Sequence, residues 1–77
     1  MKPTFMEILG NTLRAKRLAL GVSQKAFADQ IKMHRTYYSA IERGEKNLQL
    51  ITLSRVCAGL KVPLWEVVRE AETKNQK

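Results

Sequence analysis

Apolar residues recur along this chain at helical spacing, interrupted by turn signals. In the first segment Phe5, Leu9, Leu13 and the pair Leu18 and Ala19 share a face, with Arg14, Lys16 and Arg17 between them. Gly21 then stands where a helix C-terminal cap belongs, which predicts a helix over about 5–20. Ser23 offers an N-cap oxygen to a short apolar face of Ala26, Phe27, Ala28 and Ile31, a helix over about 24–30. After residues 31–34 a third helical stretch, about 35–43, stops at Gly44. Leu48, Leu50, Leu53, Val56, Cys57 and Leu60 outline a fourth helix over about 49–60, in the most apolar part of the chain. Pro63 suits the first turn of a fifth, about 63–71, which carries Leu64, Trp65, Val67 and Val68 ahead of a polar tail at 72–77. No strand signal interrupts the series. The pattern predicts an all-α, compact five-helix fold, one domain over 1–77, with a tight turn between helices two and three.

Size and charge narrow what such a fold can do. At 77 residues, folding hides only about 60% of the open chain's surface, so the core is small and a deep substrate cleft has no room. Fourteen Lys and Arg face seven Asp and Glu, a net +7. The excess gathers toward the front: residues 1–47 hold nine basic and four acidic side chains, and 48–77 hold five and three. The single cysteine cannot form an internal disulfide, which suits a reducing compartment. The first residues lack the charged-then-apolar build of an export signal, and no run approaches the roughly 18 to 20 apolar residues that span a bilayer. These features predict a soluble cytoplasmic protein.

Two short helices joined by a tight turn, in the basic part of a chain, form the arrangement that sets a helix into duplex DNA. Ser23-Gln24-Lys25-Ala26-Phe27-Ala28, then Ile31, then Tyr37-Tyr38-Ser39-Ala40-Ile41-Glu42-Arg43-Gly44 resembles the Cro and phage-repressor (lambda-repressor-like) helix-turn-helix family, over about Leu9 to Val68. Within it, His34-Arg35-Thr36-Tyr37 and the following Ser39 to Leu48 are similar to the controller proteins of restriction-modification systems, small dimeric transcription regulators. The resemblance implies a bacterial homodimer reading a partly palindromic double-stranded DNA operator, nucleoid-associated when bound, with RNA polymerase a further candidate partner. It also implies a structural ion pair between Arg17 and Glu42. A phage-type repressor or an antitoxin regulator has the same architecture and stays open.

The side chains suit that reading on their own chemistry. A helix of about ten residues is about 15 Å long, and a major groove about 12 Å wide accepts its diameter. Arg35, at the start of the third helix, carries a planar fork that pairs with O6 and N7 of guanine. Thr36 can bond a base or offer its methyl to thymine, Tyr37 can reach a phosphate or base edge, and Ala40, one turn on from Thr36, leaves room for a thymine methyl. Ser23 and Gln24, at the amino end of helix two, and Lys25 beside them are candidate phosphate clamps. The controller resemblance adds Arg43, Lys46 and Asn47, which follow the reading helix, as backbone contacts. One reading helix covers too few base pairs to find a site among millions, so a second copy is required, with half-sites about 34 Å apart. Helix five has more large apolar side chains than one face buries, and Leu64, Trp65 and Val68 are the candidate dimer patch.

Other residues read as structural. Cys57 on the fourth apolar stripe is a core thiol. His34 has no Cys or paired carboxylate spaced to join it, so neither a metal site nor a catalytic base is expected, and the reading is of a non-enzyme without cofactor or small-molecule substrate. Arg14 and Lys16 fit a solvated face as well as they fit phosphate. Adjacent Tyr37 and Tyr38 point about 100° apart on a helix, so one can face DNA while the other packs inward. The resembled family usually has an aliphatic residue at the Tyr38 position, and Gly or Asn at the Lys32 position, where a left-handed backbone would cost Lys about 1 kcal/mol. A basic helical adaptor for an acidic protein partner is the alternative from another class. A membrane-surface peptide fits less well, because turns interrupt the helices and the charges do not oppose one continuous apolar face.

Overall fold

In the computed structural model, which describes residues 2–75, the first helix starts from a reciprocal cap. Thr4 Oγ1 accepts from the Glu7 backbone N–H at 3.1 Å, and Thr4 N–H donates to Glu7 Oε1 at 2.8 Å. From there α1 (Phe5–Ala19) leads to α2 (Gln24–Gln30), α3 (Arg35–Glu42), α4 (Leu50–Leu60) and α5 (Leu64–Asn75). There is no strand among the described residues. Helix ends fall within one residue of the sequence expectation, except at α5. There residues 72–75, expected to be tail, continue the helix, while 76 and 77 lie outside the described residues. The helix persists because Ala71 is fully buried, Thr73 Oγ1 donates to the Arg69 carbonyl at 2.9 Å, and no Gly or Pro follows Pro63.

Helix α1 is the hub, packing on α5, α3 and α4, while α2 packs on α3 and α4 on α5. Its Leu9 and Leu13 meet Phe27 of α2, Tyr38 and Ile41 of α3, Val56 and Leu60 of α4, and Val67 and Ala71 of α5 in one buried cluster. The approach of α1 to α3 is close enough to need Gly10: a Cβ there would run into the backbone carbonyls of Ile41 and Glu42. Lys16 Nζ ties α1 to α5 through Glu70 at 2.7 Å and Glu66 at 3.4 Å, so this lysine is engaged within the fold.

The turn between α2 and α3 is a Schellman closure: Met33 N–H donates to the Ala28 carbonyl at 2.9 Å and Lys32 N–H to Asp29 at 3.1 Å. It requires a left-handed residue, and Lys32 supplies it at φ 56°. Arg55 of α4 reaches across to hold the same turn, its Nη2 donating to the carbonyls of Ile31 at 2.7 Å and Lys32 at 3.2 Å. Lys32→Gly is therefore expected to raise stability by about 0.5–1 kcal/mol, strain relief exceeding the added freedom of the unfolded chain. A higher urea midpoint at unchanged slope checks it; an unchanged or lower midpoint would mean the turn carries no strain.

Candidate nucleic-acid interface

The position of α3 is fixed from behind by a buried polar network. Arg17 Nε of α1 meets Glu42 Oε2 at 2.7 Å, and Nη2 meets Oε1 at 3.1 Å, with both side chains almost wholly out of solvent. The remaining donor, Nη1, reaches the Val22 carbonyl at 2.7 Å, and Gln24 Nε2 of α2 donates to Glu42 Oε1 at 2.8 Å. One carboxylate thus joins α1, α2 and α3. Burial pushes the Glu42 carboxyl up, but its polar neighbours, Arg17 foremost and then Tyr38 and Gln24, outweigh it and hold the group below the usual carboxylate range. Beside this network Tyr38 is fully buried, its ring tilted against Phe27 with centroids 5.0 Å apart. Its hydroxyl finds no hydrogen-bond partner among the described residues. Burial first, and the neighbouring Glu42 charge second, push the Tyr38 phenol well above its ordinary range.

With Tyr38 and Ile41 committed inward, the opposite edge of α3 faces solvent. Arg35, Thr36 and Tyr37 are all exposed at its N-terminal end. His34, the N-cap residue, makes no side-chain cap bond. Two shallow concavities flank this edge. One is lined by Arg35, Thr36, Ser39 and Arg43; the other runs from His34, Thr36 and Tyr37 past Ala40 to Arg43, Glu45 and Lys46. Ala40 is only 6% exposed. It forms the floor of the second concavity, where a methyl leaves space but reaches nothing by itself. Lys46 Nζ stands 5.9 Å from the Tyr37 ring centroid, a cation–π distance that places its charge beside the same edge.

The candidate phosphate ligands are placed differently from one another. Ser23 Oγ caps α2, accepting from the Ala26 N–H at 3.0 Å. Gln24 turns its amide inward to Glu42, so this side chain serves the buried network and is not offered to a phosphate. Lys25 makes an exposed pair with Asp29 at 3.1 Å, the kind of pair worth only a few tenths of a kcal/mol and readily exchanged. Lys46 and Asn47 are exposed. Arg43 is engaged: its Nε and Nη2 fork onto both oxygens of Glu45 at 2.9 and 3.1 Å, and Nη1 donates to Ser39 Oγ at 2.6 Å. That fork holds the Glu45 carboxyl below the usual carboxylate range.

Of the candidate dimer residues, Trp65 is 62% exposed, whereas Leu64 and Val68 are half-buried against the core. The largest apolar exposures are elsewhere, Leu50 at 70% and Ile51 at 71%, in the first turn of α4. Leu50 lies in line with the α4 stripe but one turn before Leu53, the first of its residues to be buried. Ile51 falls off the Leu53, Val56, Leu60 face altogether, which is the signal in the sequence that marks it as outward. Arg55 and Glu45 had no such signal, since their partners are backbone carbonyls of the α2–α3 turn and a neighbouring guanidinium. Among the described residues no group of His, Cys, Asp and Glu is arranged to hold a metal, and no helix is long and apolar enough to cross a membrane.

This geometry defines a helix-turn-helix domain of the DNA-binding regulator class, and comparison with known proteins agrees. The helix-turn-helix profile matches residues 13–66, and the chain belongs to that family in its Cro/Xre-type branch. The control protein C.MunI of a Mycoplasma species is 42% identical over 64 residues, covering 82% of this chain and 86% of its own. Among solved structures, the clp gene regulator ClgR from Corynebacterium glutamicum superposes with a TM-score of 0.87 at 32% identity, covering 95% of each chain. The restriction-modification controller C.Esp1396I, solved as a tetramer on its natural 35 base-pair operator, gives 0.78 at 27% identity over 92% of this chain and 99% of that one.

Proposed function

We propose that this protein is a controller-type transcription regulator that binds a partly palindromic operator in duplex DNA as a homodimer. The observation that carries the reading is the exposed edge of Arg35, Thr36 and Tyr37 on a helix whose other side is locked to the core. Arg35 reads guanine, Thr36 and Tyr37 flank it, and Ala40 leaves room at the helix surface. Ser23, Lys25, Lys46 and Asn47 are the backbone contacts, with Gln24 holding the network behind them. Leu50, Ile51 and Trp65 supply the apolar area a two-fold contact needs, with Leu64 and Val68 beneath Trp65 on α5. The operator complex of C.Esp1396I supports this mode of action. Binding without turnover, in the cytoplasm, is the role that follows, and no cofactor is assigned.

Selection of bound sequences from random duplex DNA tests the reading. The expected product is a repeated, two-fold related motif with half-sites about 34 Å apart. Recovery of one asymmetric half-site would overturn the dimer, and recovery of no preferred sequence would overturn sequence-specific binding.

A further inference from the structure

Arg43 lies on the same ridge of α3 as Arg35 and Ser39, at four-residue spacing, and lines the same concavity. It is the basic side chain closest to the carboxyl end of the reading edge, yet three of its five N–H donors are already engaged. Both Glu45 oxygens take the fork of Nε and Nη2, and the Ser39 hydroxyl takes one N–H of Nη1. Glu45 does not swing there freely. Gly44 at φ 75° closes α3 with a Schellman turn, in which the Glu45 N–H donates to the Ala40 carbonyl at 3.0 Å and the Gly44 N–H to Ile41 at 3.0 Å. The backbone from which the carboxylate springs is therefore fixed two residues beyond Arg43.

We propose that Glu45 is a built-in competitor of the DNA phosphate for Arg43, and that it sets the sequence-independent part of this protein's affinity. The inference rests on the reading of α3 as the DNA-facing helix. A phosphate approaching Arg43 meets a fork already bonded by the Glu45 carboxylate, whose charge has the phosphate's own sign. The pair is 52% and 58% exposed, so solvent and salt reach it and a phosphate can displace it. The barrier it sets is a graded one. In a molecule of net +7, such a competitor limits attachment to arbitrary duplex, where phosphate contacts supply nearly all the affinity.

The test is titration of the full chain with a random-sequence duplex and with the selected operator, over a range of salt, for wild type, Glu45→Gln, Arg43→Gln and the double variant. Glu45→Gln is expected to bind random duplex about three- to tenfold tighter, from one exposed pair released in each of two protomers. Its log affinity against log salt should steepen by about 2, one added phosphate contact per half-site. In the Arg43→Gln background the same substitution should change neither quantity. Unchanged or weaker binding by Glu45→Gln overturns the proposal, as does an equal gain without Arg43, which would be a bulk charge effect. Should wild type bind duplex with no preferred sequence, the operator reading falls while the Glu45 inference is still decided by the salt slopes. Should it bind no duplex DNA at all, both fall.

Discussion

Arg35→Ala is expected to weaken operator binding by about 30-fold to 10⁴-fold while leaving the fold and the dimer intact. A bidentate arginine–guanine pair discriminates by about 1–3 kcal/mol, and a dimer makes it twice. Arg35 is exposed and belongs to no buried cluster, so its loss costs the core nothing. Because the contact is to a base, affinity for random duplex should change far less than affinity for the operator, and the salt slope should barely move. Titration of both duplexes, with the thermal midpoint and sedimentation of the free protein alongside, checks all three statements. An operator preference that survives the substitution would mean that α3 does not read the DNA.

Glu42→Ala should have the largest effect on folding. Removing one partner of a buried pair leaves an uncompensated charge and costs about 3–5 kcal/mol. Arg17 would keep only the Val22 carbonyl, and the Gln24 amide would lose its acceptor. A domain of this length has a total stability of about 4–12 kcal/mol, so the variant loses at least about a quarter of it, and the cooperative loss of helical circular dichroism should come at a much lower temperature and urea concentration than in the wild type. Replacing Arg17 and Glu42 together by apolar residues of similar volume should recover most of the stability, because nothing charged is then stranded.

Acid pH reaches the same network. The Glu42 carboxyl is held below its ordinary value of 4.5, so its contribution is present above that value and disappears as pH falls through the depressed folded-state value. Comparison with Glu42→Gln isolates this contribution from those of other carboxylates. The stability gap between the two proteins, measured by urea unfolding, should close as pH drops below about 4.5. A gap that stays constant into strong acid would mean that the pair does not stabilise the fold through its charge.

The positions of the helices were legible because their signals are local. Ser23 and Gly44 bracket α2 and α3, and apolar spacing marks the buried faces. Where the local rule was broken, the structure had to be seen. Lys61 is left-handed, at φ 61°, and Lys carries no signal for that conformation; at Lys32 only the family resemblance pointed to it, and the long-range bonds of Arg55 help hold that turn. Tyr38 illustrates the same limit. Its hydroxyl argues for exposure, yet packing on Phe27 outweighs the cost of a polar atom left without a partner.

The candidate site divides along similar lines. Arg35, Thr36 and Tyr37 could be named from residue type and their place at the start of a helix after a tight turn. The commitments of the surrounding polar groups could not. Whether Gln24 faces a phosphate or Glu42, and whether Arg43 is free or forked onto Glu45, depends on which partner lies within about 3 Å once the helices have docked. By itself the sequence determined five helices, their order, the turn between α2 and α3 and the excess of positive charge, since propensity, capping and apolar periodicity act within a few residues along the chain. The tertiary structure alone decided which cations are available and which apolar side chains remain uncovered. Those are properties of distance between groups far apart in the chain, set by how α1 and α4 close on the reading pair.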